Sequence, residues 1–137
     1  MRRTGILNPA ILNATGSLGH TDQIVVCDAG LPIPPGVERI DLTVVRGIPR
    51  FLDVLEPLLA EIVVEKLILA REIETASPDL AARIRKLVGP IPIEFVTHTE
   101  FKRLTRDAKA IIRTGEFTPY ANVILQSGVD FKSAPTI

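Results

Sequence analysis

Two histidines, His20 and His98, with Asp28, Tyr120 and Asn122, are the candidates for acid–base chemistry and hydroxyl recognition. Imidazole has an unperturbed pKa near ~6.5, so His20 and His98 can each give or take a proton. His20 follows Gly19 at an expected helix end; it is either a solvated helix terminus or an acid–base group. His98 closes an expected strand, as a satisfied edge residue or as a second acid–base group. Asp28 stands just past another strand, eight residues after His20, and a helix–strand unit could bring the two together. Tyr120 and Asn122 are two residues apart; on a strand they would share a side and hydrogen-bond hydroxyl groups. Lys102, four residues after His98, is a minor candidate that shares a face with it if a helix starts at His98. Cys27 reads as a buried structural thiol, since period-2 alternation turns it away from Asp28.

Other chemistries lack their motifs. The sequence contains no GxGxxG and no GxxxxGK[ST], so no dinucleotide or triphosphate cradle is expected. Ser17 has no GxSxG elbow. One cysteine, and two histidines without i, i+4 spacing, argue against a metal site, and no cofactor is expected. Sixteen Lys and Arg balance sixteen Asp and Glu, which speaks against a nucleic-acid partner. No apolar run reaches the ~18 residues of a membrane helix, and MRRTGILNPAILNATG reads as mature sequence; a cytoplasmic location is the expectation.

These residues must be held by an alternation of helices and strands. Asn8-Pro9 has the N-cap and first-turn residues of a helix running to a stop at Gly19. Strands are expected at 23–27, 40–45, 64–70, 93–97, 108–113 and 121–126. Helices are expected at 51–63, with Pro57 as a kink or break, from Ser77-Pro78 to about Leu87, and at 99–105 with Thr99 as cap. Residues 28–36, with three prolines and two glycines, cannot be regular structure. The pattern predicts a single compact α/β domain over residues 1–131, a mostly parallel or mixed sheet flanked by helices, and a loose tail over 132–137. Ligands gather at the carboxyl ends of strands in such sheets, which singles out Asp28, Arg71-Glu72 and His98. Aromatics are 4% of residues, so the core is aliphatic. Mean hydropathy is +0.27 at zero net charge, and that apolar excess predicts self-association.

Several segments taken together resemble the D-ribose pyranase family, the small sugar mutarotases that include the fucose mutarotases. They are Thr4-Gly5-Ile6-Leu7-Asn8, Leu18-Gly19-His20-Thr21-Asp22, Asp28-Ala29-Gly30-Leu31-Pro32-Ile33-Pro34, Arg39-Ile40-Asp41-Leu42, Thr97-His98 with Phe101-Lys102, Ile111-Ile112-Arg113-Thr114-Gly115-Glu116, and Thr118-Pro119-Tyr120-Ala121-Asn122. The Asp28–Pro34 segment is similar to the ribose branch. The resemblance implies an isomerase that interconverts pyranose and furanose forms of D-ribose, with no cofactor. It implies His20 as proton donor and sugar contacts from Asp28, His98, Tyr120 and Asn122, with Ala121 near through its backbone. It further implies a closed homo-oligomeric ring, decamers being the expected form, with sites near subunit contacts. A fucose-type mutarotase, a non-catalytic sugar-binding module linked to uptake and a purely structural ring former are the alternatives.

Overall fold

The computed structural model describes residues 1–132; the expected loose tail lies, from residue 133 on, outside the described residues. In chain order the elements are α1 (Pro9–Gly16), β1 (Gln23–Cys27), β2 (Glu38–Asp41), α2 (Phe51–Glu61), β3 (Val64–Ala70), α3 (Ile73–Ala76), α4 (Pro78–Val88), β4 (Ile93–Val96), α5 (His98–Leu104), a 3-10 turn (Thr105–Asp107), β5 (Ala110–Arg113) and β6 (Val123–Ser127). The strands form one six-stranded mixed sheet in the order β2-β5-β1-β6-β3-β4. Strand β6 runs antiparallel to both β1 and β3, while β1, β2 and β5 pair in parallel, as do β3 and β4. That arrangement decides where chemistry can collect. The carboxyl ends of five strands and the amino end of β6 all lie at one edge.

Period-2 alternation divides the core. Ile24 and Val26 of β1 pack on one side with Phe51, Leu55 and Leu58 of α2 and Ile84 of α4. Val25 and Cys27 pack on the other with Leu31, Phe101, Ile111 and Ile124. Helix α2 forms because Phe51, Leu55 and Leu58 recur at helical spacing and lose all solvent exposure; each contributes roughly 1.5–3 kcal/mol of burial. Pro57 does not break it, and the helix runs through to Glu61. The buried residues on either side hold the turn that Pro57 deprives of one amide donor.

Other boundaries differ from expectation for local reasons. Helix α1 begins as read, with Asn8 Oδ1 accepting from the Ile11 amide at 3.0 Å, but it ends at Gly16 rather than Gly19. Asp22 Oδ2 accepts the Gly19 amide at 2.8 Å and turns the chain early. Strand β2 lies at 38–41 instead of 40–45, because its partner β5 ends opposite Asp41 at Arg113. Past Asp41, the Val45–Ile48 turn closes against Gly115, whose amide and carbonyl bond Pro49 O and Gly47 N. A Cβ on Gly115 would sit 2.6 Å from the carbonyl oxygens of Val45 and Ile48, so only glycine fits. Helix α5 starts at His98, capped by Thr97 rather than Thr99; Thr97 Oγ1 accepts the Glu100 amide at 3.2 Å. The Thr97-x-x-Glu100 spacing was the available signal. Short α3 was not expected from the sequence.

Candidate active site

Asp28, the first residue beyond β1, is gripped from three directions. Its Oδ1 accepts the amides of Gly30 (3.0 Å) and Leu31 (2.9 Å). Its Oδ2 accepts from Asn122 Nδ2 at 3.2 Å, and its own amide donates to Asn122 Oδ1 at 2.9 Å. Burial pushes the Asp28 carboxyl above its ordinary value of 3.8, against the opposing pull of the two amides, Asn122 and His98.

His98 arrives from β4 as the first residue of α5. Its ring stacks on Phe101, with centroids 6.4 Å apart, and meets the Tyr120 ring edge-on at 5.1 Å. Tyr120 leads into β6 with φ of +61°, a left-handed conformation that costs a non-glycine residue of order 1–3 kcal/mol. Neighbouring bonds hold it there. The Asn122 amide donates to Tyr120 O at 2.8 Å, and the buried Ser77 hydroxyl donates to Pro119 O at 2.7 Å.

Asp28, His98 and Tyr120 line one open cavity of about 490 Å³, together with Gly30, Leu31, Arg113, Glu116, Phe117 and Pro119. Asn122 lies directly against the Asp28 carboxylate that lines this cavity with Tyr120. Asn122 is 1% exposed and spends its amide on Asp28. Strand alternation does not describe the pair, because Tyr120 is not extended. Ala121 is fully buried behind the same turn.

His20 does not reach this cavity. It precedes β1, whereas Asp28 follows it, so a strand of five residues, roughly 17 Å long, separates them. The expected His20–Asp28 pairing within one chain is therefore absent. His20 Nε2 lies 2.9 Å from Glu65 Oε2 at the opposite sheet edge, and its side chain is 54% exposed. Hydrogen bonds from Gln126 and then from His20 hold the Glu65 carboxyl below its usual range. Lys102 is also separate from the site: it lines a second cavity with Pro32–Pro35, Arg103 and Arg106. Cys27 is fully buried, and burial pushes its thiol up to about 12, as a structural cysteine requires.

Arg113 and Glu116 shape the site without having been assigned to it from the sequence, and Glu72, singled out there as a strand-end residue, joins them. Arg113 donates from Nε to Ala29 O (3.1 Å) and from Nη1 to Asp41 Oδ2 (3.1 Å). Glu116 accepts from Arg50 Nε and Nη2, from the amides of Phe51 and Thr118, and from the Thr118 hydroxyl. Burial opposes its charge, but the Arg50, Phe51 and Thr118 bonds prevail and draw its carboxyl down to about 2. Glu72, at the end of β3, accepts the His98 amide. Arg113 and Glu116 lie within residues 111–116 and Glu72 just past β3, but no local spacing tells which contacts they make. Among the described residues, no group of three or more His, Cys, Asp or Glu could hold a metal ion, and no helix is long and apolar enough to cross a membrane.

Comparison with known proteins places these features in context. Residues 1–130 match the family model described as the RbsD / FucU transport protein family. A D-ribose pyranase of Geobacillus thermodenitrificans is 53% identical over 131 residues, covering 96% of this chain and 99% of the relative. One from Coprothermobacter proteolyticus is 50% identical, covering 96% and 100%. The structure of Bacillus subtilis RbsD complexed with D-ribose superposes with a TM-score of 0.93 at 51% identity, covering 96% of this chain and all of that one. The Streptococcus pneumoniae fucose mutarotase, complexed with L-fucose, shares the fold at a TM-score of 0.77 and 24% identity, over 90% of this chain and 94% of that one.

Proposed function

The chain belongs to the RbsD / FucU family, and from that premise we propose that it is a sugar ring-form isomerase interconverting the pyranose and furanose forms of D-ribose. The observation that carries this reading is the cavity itself. A carboxylate, an imidazole and a phenol converge at the carboxyl edge of a sheet that superposes on a protein holding D-ribose. Relatives about half identical over nearly their whole length bear the name D-ribose pyranase.

The reaction needs no change of oxidation state. A base takes the proton from the anomeric hydroxyl, the C1–O5 bond breaks, and an acid protonates O5, leaving an open-chain aldehyde. Rotation about a carbon–carbon bond brings O4 to C1. O4 then adds and loses its proton to the group that had protonated O5, while the protonated base returns its proton to the carbonyl oxygen, so both groups end as they began. Asp28 is the acceptor for a sugar hydroxyl proton, since Oδ2 carries one protein bond against two on Oδ1. Its raised pKa brings it nearer to the range in which it can exchange a proton. Tyr120 and His98 bond further hydroxyls, and Ala121 and Asn122 shape the wall behind them. Positioned acid–base groups supply about 10²–10⁴-fold, which suffices for a reaction that already proceeds in water.

His20 is the proton donor to the ring oxygen in this reading, and it must then come from a second copy of the chain. One edge of the protomer offers Asp28 and the other offers His20. A head-to-tail contact between unlike edges produces rings when its rotation closes. The exposed apolar residues Val44, Val45, Ile48 and Phe117 support self-association, and Phe117 lines the cavity itself. A decameric ring is the assembly we propose. A cytoplasmic location is part of the same reading.

Magnetisation-transfer NMR on D-ribose tests the function. Exchange between ring forms accelerates on adding protein. Ribose binding without acceleration would make the chain a non-catalytic sugar-binding module instead.

A further inference from the structure

His98 is anchored through its backbone by a residue from the neighbouring strand. Its amide donates to both carboxylate oxygens of Glu72, at 3.1 and 3.0 Å. Glu72 follows β3, which pairs in parallel with β4, the strand that delivers His98. The carboxylate thus spans the ends of two adjacent strands. That amide bond is the largest influence holding the Glu72 carboxyl below its ordinary value, so the anchor is anionic at neutral pH.

The ring that hangs from this anchor is unevenly placed. Nδ1 is buried and has no hydrogen-bond partner among the described residues. Phe101 stacks on the ring and Tyr120 meets it edge-on. The residue nonetheless lines the cavity, so Nε2 is the nitrogen left for a ligand. A neutral imidazole carries one N–H. On Nδ1 that hydrogen would be a buried donor without an acceptor, a rarer and costlier defect than an unused lone pair.

We propose that Glu72 is a positioning residue that sets the ring of His98, so that Nδ1 stays closed off and Nε2–H is the donor offered to the sugar. This rests on the sugar-isomerase reading above and deepens it. The cavity then presents complementary roles: Asp28 accepts from one hydroxyl while His98 donates to another. Glu72 touches no substrate; it acts through the backbone of His98.

Two-bond proton–nitrogen correlation spectra of the ¹⁵N-labelled full chain test this, with His98→Gln assigning the two histidines. In the unmodified protein the His98 proton sits on Nε2, and D-ribose moves the ring signals. Glu72→Ala displaces the His98 ring signals, leaves those of His20 in place, and raises KM about tenfold with a smaller change in kcat. Glu72→Gln keeps one acceptor oxygen and falls between. It also carries the test if the alanine variant does not fold. A proton on Nδ1 in the unmodified chain would overturn the proposal, and so would unchanged His98 signals in both Glu72 variants. The spectra decide this even if the chain proves not to accelerate ribose exchange, so failure of the functional reading is separately visible.

Discussion

Asn122 and Asp28 hold each other twice. The Asp28 amide donates to Asn122 Oδ1 at 2.9 Å, and Asn122 Nδ2 donates to Asp28 Oδ2 at 3.2 Å. A buried amide therefore sets both the backbone and the carboxylate of the residue proposed to accept the sugar proton. Asn122→Asp replaces the donor with an anionic oxygen facing Asp28. Stability should fall by about 1–3 kcal/mol in urea titration, from the lost bond and an unpaired buried group. Ribose exchange should drop at least about tenfold, because one of two facing carboxyls then holds a proton.

Asp28 sets an acid limb. Its folded-state pKa lies above 3.8 through burial, so it loses charge at a higher pH than an ordinary aspartate. Exchange activity should fall as pH drops through that raised value, and Asp28→Asn should remove both the limb and most of the acceleration. The linkage to stability has the opposite sense. Between 3.8 and the raised pKa the folded state binds more protons, so protonating Asp28 relieves a cost of folding. A pH–rate profile beside pH-dependent urea unfolding separates the two.

Glu116 behaves in the opposite way. Its carboxyl is drawn from 4.5 to about 2, so its contribution to stability is complete above 4.5 and is lost as pH falls toward about 2. Glu116→Gln should lower stability at pH 7 by about 1–3 kcal/mol. It should also flatten the acid side of the stability curve between those two values, as measured by chemical denaturation.

His20→Ala and Asp28→Asn should each remove most of the ribose acceleration. Mixed, dissociated and reassembled together, they should regain it at about a quarter of interfaces, the share expected when one copy supplies His20 and its neighbour Asp28 at random. Mixed assemblies that stay inactive would show that His20 does not complete a neighbour's site. Sedimentation on the same samples reports whether they reassembled.

Tyr120→Phe removes one hydroxyl and leaves the ring against His98. KM for ribose should rise about five- to tenfold, near the worth of one hydrogen bond, with little change in thermal stability. Isothermal titration and exchange kinetics together check it.

Local sequence carried much of this protein. Short apolar runs placed β1 and β3 to the residue, because central strands are buried on both faces; the polar residues Gln23, Glu65 and Lys66 fall near their amino ends, where burial is incomplete. Asn8-Pro9 and Ser77-Pro78 marked two helix starts, and the rule that ligands sit beyond strand ends was enough to name Asp28 and His98. Helix and strand ends were less legible where long-range bonds set them. The end of α1 depends on Asp22 and the end of β2 on where β5 stops. The tertiary structure alone decided which of the named polar residues meet. Strand order and the reversal of β6 carry Tyr120 to Asp28 and His98 while leaving His20 at the far edge. They also make Asn122 the clamp on Asp28, and bring Glu72 to the His98 amide. Spacing along a chain fixes which face a side chain takes within its own element. Which elements lie side by side depends on contacts between residues distant in sequence, such as the 94 positions between Asp28 and Asn122.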